Sequence, residues 1–131
     1  MTIELDHEAI AAIRGLQRPG QPDVFERIVD LFCASARRLL ESMRDGVAIR
    51  DYRVVGIAAH TLKSSAANLG LPQIFQLCAD IERSAGHIPA HPDHDCPSNN
   101  VYIDAQVAEL TALYPHCEQA LRNLLSTNHG G

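Results

Sequence analysis

The sequence predicts an all-α fold, an antiparallel four-helix bundle with an additional helix at the N-terminus. Aromatic residues make up only 5% of the 131 residues, with no tryptophan, whereas Ala and Leu, which favour helices, are abundant. Apolar residues also recur at three- and four-residue spacing and never alternate over the length of a strand. A chain of this length is expected to form one domain, residues 1–131, around its own core.

Two helices are predicted in the first third of the chain. Residues 5–17 form a short amphipathic helix that covers the end of the bundle, with Asp6 as its N-cap and Pro19–Gly20 as its stop. A long helix begins the bundle core at about residue 22 and runs to about Arg44, where Asp45–Gly46 closes it. The residues assigned to the buried sides of the two helices are Leu5, Ala9, Ile10, Ile13 and Leu16, and then Val24, Ile28, Leu31, Phe32, Ser35, Leu39 and Met43.

Two further helices are predicted on either side of Gly70. The third begins near residues 49–51 and ends at Gly70, and the fourth runs from about Leu71, with Pro72 in its first turn, to Gly86. Such a short connection makes the two helices antiparallel. Their predicted buried residues are Val55, Ala58, Leu62, Ala66 and Leu69, and then Ile74, Leu77, Cys78 and Ile81.

The last third of the chain is predicted as a loop followed by one helix. Residues 86–100 contain three prolines and many polar residues, which is typical of a loop. The last helix spans about residues 101–125, Pro115 is expected to kink or loosen it, and residues 126–131 are expected to fray. Its predicted inward residues are Val107, Leu110, Leu113, Cys117, Leu121 and Leu124.

Charge, hydropathy and cysteine usage narrow the classes of protein. A formal net charge of −5 argues against a nucleic-acid-binding surface, which needs a basic stripe. No run approaches the roughly 18 apolar residues of a membrane span, and the first residues lack the features of a signal peptide, so a cytoplasmic protein is expected. We also expect a monomer. The cysteines are expected to be reduced, because that compartment is reducing and two of them lie in apolar helical stretches. They are Cys33, Cys78, Cys96 and Cys117.

His60 is the strongest candidate for a functional residue, because it lies almost opposite the apolar stripe of its helix. A neutral imidazole nitrogen is a nucleophile near pH 7, and a cation one helical turn away can pair with an anion that becomes attached to it. That cation is Lys63, the only lysine beside ten arginines. Lysine is a compact point charge that can follow a moving phosphoryl group. The pattern therefore favours phosphate chemistry at His60.

Two stretches resemble the histidine-containing phosphotransfer (HPt) family, HTLKSSAANLG at residues 60–70 and LCADIE at residues 77–82. The resemblance implies a helical bundle that relays phosphoryl groups in two-component signalling. It further implies that His60 carries the phosphoryl group, that Lys63 pairs with it, and that Glu82 orients the histidine ring. Glu82, 12 residues after Gly70, also roughly mirrors His60, 10 residues before it. In one departure, the position after the lysine is usually glycine in the family and is Ser64 here.

The predicted function is a relay intermediate that accepts a phosphoryl group on His60 from a receiver-domain aspartate and passes it to another. The sequence contains no glycine-rich nucleotide loop and no cluster of acids for Mg²⁺. We therefore expect no cofactor of its own, with the Mg²⁺ on the partner, a receiver domain of a response regulator or of a hybrid sensor kinase. The residues expected to dock this partner flank His60 on its helix, and are Arg53, Gly56, Ile57, Ser64 and Ala67.

For Glu82 itself, the alternative is a surface carboxylate that pairs with a nearby arginine such as Arg83 or Arg53. For the whole protein, the sequence is also compatible with two other functions. The same exposed face could dock a partner without phosphorylation. Alternatively, the loop could bind zinc, since it holds ligand types within ten residues, although their spacing matches no zinc-finger pattern and its prolines resist wrapping around an ion. The candidate ligands are His87, His91, His94 and Cys96, with His116 and Cys117 elsewhere in the chain.

Overall fold

The structure, a computed structural model, describes residues 2–86 and 97–129, and describes side chains over residues 2–86 and 102–125. Within these ranges the secondary structure consists of five α-helices and no strand. This architecture confirms the predicted all-α fold. The helices are α1 (His7–Arg14), α2 (Val24–Ala48), α3 (Tyr52–Leu69), α4 (Pro72–Gly86) and α5 (Pro97–His129).

Local sequence signals set most helix ends. Asp6, Asp23 and Asp51 are the N-caps of α1, α2 and α3, and each carboxylate accepts a hydrogen bond from a backbone N–H of the first turn. The other two helices begin with a proline, which has no N–H to leave unpaired at that position. Gly70 ends α3 in the left-handed conformation, with φ 80°, which glycine adopts without steric cost.

Four helices form a closed ring, in which α2 packs against α3 and α5, and α4 packs against α3 and α5. The ion pairs Arg37–Glu118 and Arg122–Asp30 show that α2 and α5 are antiparallel, because the residue number rises on one helix as it falls on the other. Helix α1 packs on α2 and α3. The core between the helices includes the fully buried residues Val29, Met43, Leu62, Ile74, Ile81, Leu110 and Leu121.

Helix α2 extends further than the sequence predicts. It continues through Gly46 to Ala48, so the assignment of Asp45–Gly46 as its end is wrong. A Cβ on Gly46 would lie 2.8 Å from Cγ2 of Val55 and 3.0 Å from the carbonyl oxygen of Asp51. The glycine therefore serves the close approach of α2 to α3, and the turn follows at residues 49–51, where Arg50 has a φ of 58°.

The buried side of α2 is rotated by about one residue from the predicted one. Phe32 and Met43 are buried as expected, but Leu31 is 64% exposed. The spacing of apolar residues along α2 fits two lines about 100° apart, and packing between α3 and α5 selects one of them. That line consists of Phe25, Val29, Phe32, Cys33, Ala36, Leu40 and Met43. Leu16 is likewise 64% exposed, because α1 ends before it, at Arg14.

The predictions for α3 and α4 are confirmed apart from Leu77, which is only partly buried. Helix α5 differs at both ends, since it begins at Pro97 and extends to His129. It also continues through Pro115, whose side chain is exposed, while Tyr114 and Cys117 beside it are buried. The helix is held there by packing on both sides of the proline. Of the predicted inward residues of α5, Leu124 is only partly buried.

Three cysteines are buried, as predicted: Cys33, Cys78 and Cys117. Burial raises the pKa of Cys78 to about 12 and that of Cys117 to about 11, so both thiols stay protonated. Cys96 and the histidines of the candidate zinc loop lie outside the described residues. Over the described part of the chain, no group of three His, Cys, Asp or Glu side chains is placed to hold a metal ion. Nor does that part contain a helix long and apolar enough to cross a bilayer.

Candidate functional site

His60 lies at the middle of α3, and its side chain is 62% exposed. The opposite side of the helix faces the core, where all five residues of the predicted stripe are buried. Because both ends of α3 are capped, by Asp51 and Gly70, the backbone that carries the imidazole is fixed in place. The sequence prediction that His60 points away from the core is therefore confirmed.

The ring of His60 is held by a carboxylate on the neighbouring helix. Its Nδ1 lies 3.1 Å from both Oε1 and Oε2 of Glu82 on α4. An ionised carboxylate can only accept hydrogen bonds, so in the neutral ring Nδ1 carries the proton. The lone pair is then on Nε2, which is the nitrogen available to act as a nucleophile.

Lys63 contacts the same carboxylate, with its Nζ 3.0 Å from Oε2 of Glu82. This contact was not predicted from the sequence, and the Lys63 side chain is only 24% exposed. The hydrogen bond from Lys63, assisted by the one from His60, keeps the pKa of Glu82 below its usual value, against the opposing effect of burial. Glu82 is therefore an anion at neutral pH, paired with two groups of α3.

Glu82 does not pair with the arginines that the sequence offers as alternative partners. Arg83 contacts Asp80 instead, at 3.7 Å within α4, and the partners of Glu82 are His60 and Lys63. Two of the three residues assigned to the phosphoryl site by resemblance, His60 and Lys63, thus both contact the third, Glu82. Their roles in phosphoryl transfer stay a prediction.

The close packing of α3 against α4 explains why residue 56 is a glycine. A Cβ on this glycine would lie 3.1 Å from the Cβ of Ala85, which is tight for a carbon–carbon contact. Glu82 meets His60 one turn further along the same pair of antiparallel helices. Gly56 therefore allows α4 to approach closely enough for Glu82 to reach the ring, in addition to any part that it takes in docking.

The other predicted docking residues lie around His60 on the outer side of α3. Arg53, Ile57, Ser64 and Ala67 are exposed, and 59% of Ile57 is accessible. The hydroxyl of Ser64 donates to the carbonyl oxygen of His60 at 3.3 Å. Its proton is directed along the helix, so Ser64 adds bulk to this surface but no free donor.

The sequence analysis missed Phe75, an exposed aromatic residue of α4. Phe75 lies seven residues before Glu82, which places both on the same line of the helix, and it is 39% exposed. The register set by His60 and Glu82 places it opposite Ala67. Its i, i+7 spacing from Glu82 was the signal that could have identified it. We call the surface formed by these exposed residues the α3–α4 face: Ile57, His60, Ser64, Ala67 and Phe75.

Comparisons with known proteins identify the family of this chain. The sequence model of the Hpt domain matches residues 27–126. Among solved structures, the chain is similar to histidine-containing phosphotransfer protein B (HptB) from Pseudomonas aeruginosa PAO1, with a TM-score of 0.59 and 19% identity. The similarity covers 89% of this chain and 96% of that one, and at this identity it shows the fold alone. A search of curated proteins finds no significant match. Since the Hpt model spans most of the chain, including His60, Lys63 and Glu82, this protein belongs to the Hpt domain family.

Proposed function

We propose that this protein is a phosphorelay intermediate, which accepts a phosphoryl group on His60 from a receiver-domain aspartate and passes it to another receiver aspartate. The observation that carries the proposal is the exposed imidazole of His60, whose Nδ1 is bonded to the ionised carboxylate of Glu82. This bond leaves Nε2 as the nucleophile, on the side of the ring that a second protein can reach. Membership of the Hpt family supports the histidine phosphotransfer class.

The transfer that we propose is an in-line displacement at phosphorus. The lone pair of Nε2 forms the P–N bond while the P–O bond to the aspartate breaks, and the aspartate leaves as a carboxylate. The proton on Nδ1 stays in place, so the phosphorylated ring carries a positive charge. Glu82 lies 3.1 Å from that nitrogen and stabilises this charge. The reverse sequence of bond changes passes the group to the next aspartate.

In the proposed relay, the partner proteins bind the metal ion and use ATP. We expect Mg²⁺ on the receiver domain to neutralise the oxygens of the moving phosphoryl group. This chain supplies the positioned nucleophile, the anion of Glu82 and the cation of Lys63. The partner docks on the α3–α4 face, where the exposed apolar side chains of Ile57 and Phe75 lie on either side of His60 along the bundle.

The test is label transfer from a panel of phosphorylated receiver domains. We expect label to appear on a histidine, labile in acid and stable in base, as a P–N bond requires. His60→Gln should abolish it, whereas the matched variant His116→Gln, at an exposed histidine of α5, should accept label at the parental rate. Label that persists in His60→Gln, or that is found on Ser64 or Ser65, would refute the proposed relay. So would the failure of every receiver in the panel to transfer.

A further inference from the structure

In the unphosphorylated protein, the carboxylate of Glu82 contacts both His60 and Lys63. Oε1 and Oε2 of Glu82 both lie 3.1 Å from Nδ1 of His60, and Oε2 also lies 3.0 Å from Nζ of Lys63. The Lys63 side chain is less exposed than that of His60, 24% against 62%. The lysine therefore lies along α4 rather than extending into the solvent over the ring.

We infer that Glu82 holds Lys63 in an ion pair while His60 is unphosphorylated, and that Lys63 leaves Glu82 to pair with the phosphoryl group once His60 is phosphorylated. The inference rests on the proposed function, because it describes how the contacts within the site change when His60 is phosphorylated. It assigns Glu82 a second role beside the orientation of the ring. Lys63 is then exchanged between two anions within one site.

The charges of the two states favour this exchange. A phosphoryl group carries close to two negative charges at neutral pH, roughly twice the charge of a carboxylate, and offers three acceptor oxygens. At equal distance its attraction for an ammonium group is therefore about twice as strong. Glu82 keeps a cationic partner after it releases Lys63, because the phosphorylated ring is itself a cation and its Nδ1–H still contacts the carboxylate. Each anion of the site keeps one cationic partner throughout.

The exchange needs no movement of the backbone. Lys63 lies three residues after His60, so their side chains are neighbours on the helix surface, and the flexible lysine stem can swing from α4 towards the ring. Arg83 is engaged by Asp80 on α4. Lys63 is thus the cation that the described structure places within reach of both Glu82 and a group on Nε2.

The negative charge of residue 82 is what the inference depends on. A glutamine at this position could still accept a hydrogen bond from Nδ1 through its amide oxygen, but it would not hold an ammonium group as an ion pair. Glu82→Gln should therefore release Lys63 in the unphosphorylated protein while it preserves the shape of the site. The matched control is Asp80→Asn, which removes the same charge from α4 at a carboxylate that contacts Gln76 and Arg83.

The experiment uses the fact that Lys63 is the only lysine of the chain. Each full-length variant is treated with phosphoramidate, a small phosphoryl donor that needs no receiver, and then with a trace of acetic anhydride. Cleavage after arginine yields one peptide, residues 54–83, that contains both His60 and Lys63. Mass spectrometry of this peptide reports acetylation of Lys63 separately for phosphorylated and unphosphorylated molecules of the same sample.

In unphosphorylated molecules we expect Glu82→Gln to raise the acetylation rate of Lys63 about two- to fivefold, the effect of losing a partly exposed ion pair. Asp80→Asn should leave the rate unchanged. In phosphorylated molecules the parent and Glu82→Gln should show the same low rate, because the phosphoryl group then holds Lys63 in both.

Two outcomes would overturn the inference alone: no increase in unphosphorylated Glu82→Gln, or an equal increase in its phosphorylated molecules. If one of these outcomes is observed and receiver domains still transfer a phosphoryl group to His60, the proposed function stands. If neither phosphoramidate nor any phosphorylated receiver domain modifies His60, both the proposed function and this inference are wrong, because both require an accessible Nε2. If phosphoramidate alone fails, a receiver domain supplies the phosphoryl group and the same two outcomes decide the inference. Transfer from receivers, tested separately, shows whether the relay fails while the exchange of Lys63 still occurs.

Discussion

At the scale of single residues, the reactivity that we propose for His60 depends on its neighbours more than on its exposure. The ring is well exposed, so solvent and a partner protein reach it freely. What distinguishes it from the exposed His116 of α5 is the pair of contacts to the carboxylate of Glu82 at Nδ1. These contacts fix the tautomer and place a negative charge beside the ring when it becomes a cation.

Ser64 gives a test of steric access to that ring. Ser64→Gly should keep or increase the rate of transfer, because it removes a side chain beside His60 whose hydroxyl is already engaged by the His60 carbonyl. We expect a loss of about 0.5 kcal/mol in the free energy of unfolding, since glycine replaces serine inside a helix. Rates of transfer from a receiver domain and chemical denaturation measure the two effects.

The matched control for this variant is Ser65→Gly. Ser65 is the next residue of α3, its hydroxyl makes the same kind of bond, to the carbonyl of Thr61, and it points away from His60 around the helix. It should lose similar stability without any gain in rate. A Ser64→Gly protein that is as stable as Ser65→Gly but transfers far more slowly would show that Ser64 takes part in the reaction.

At the scale of helices, small residues set how closely α3 lies to its two neighbours. Gly46 of α2 contacts Val55, and Gly56 of α3 contacts Ala85 of α4. Both contacts lie in the half of α3 before His60. The distance between α3 and α4 in turn decides whether Glu82 can reach the ring, so helix packing and the geometry of the site both depend on Gly56.

Gly46→Ala tests this packing. Alanine is better than glycine inside a helix by about 1 kcal/mol, but the new Cβ would lie 2.8 Å from Val55 and 3.0 Å from a backbone oxygen. Overpacking of this kind costs about 1–3 kcal/mol, so we expect a net loss of about 1 kcal/mol in the free energy of unfolding, measured by denaturant titration. Gly86→Ala, where a Cβ meets no atom within 4 Å, should cause no such loss. A Gly46→Ala protein more stable than the parent would contradict the steric account.

At the scale of the whole molecule, the bundle assembles one surface from residues that are distant in the sequence. Ile57 and His60 come from α3, and Phe75 comes from α4. They share the α3–α4 face because Gly70 reverses the chain between them. The N-terminal segment strengthens this reversal, since the N–H of Asp6 donates to the carbonyl of Gly70 at 2.9 Å, and the side chain of Gln73 bonds to the backbones of Thr2 and Glu4.

Phe75→Ala tests whether this face docks the partner. We expect the receiver concentration for half-maximal transfer to rise about tenfold, as for the loss of an aromatic contact worth somewhat over 1 kcal/mol, while the maximal rate at saturation changes little. Tyr102→Ala is the control, because Tyr102 is an exposed aromatic residue, 60% accessible, of α5, a helix that contributes no residue to the α3–α4 face. Equal effects of the two substitutions would show that Phe75 has no special part in docking.

The sequence by itself determined the approximate starts of α1, α2, α3 and α4, the end of α3 and the outward direction of His60. These features depend on interactions within a few residues: an aspartate that accepts from the next turn, a glycine that adopts a positive φ, and a periodic stripe of apolar side chains. Lys63 could also be selected from the sequence, because one helical turn separates it from His60. Local physics was sufficient for each of these conclusions.

Only the tertiary structure decided which line of α2 is buried, why Gly46 lies inside that helix, and where Lys63 is held. Each depends on a distance between residues of different helices, such as Gly46 to Val55 or Lys63 to Glu82. Helical periodicity left two nearly equivalent lines on α2, and a flexible lysine can point in many directions. Packing against the neighbouring helices removed both ambiguities, because it fixes which side is shielded from water and which anion lies within reach.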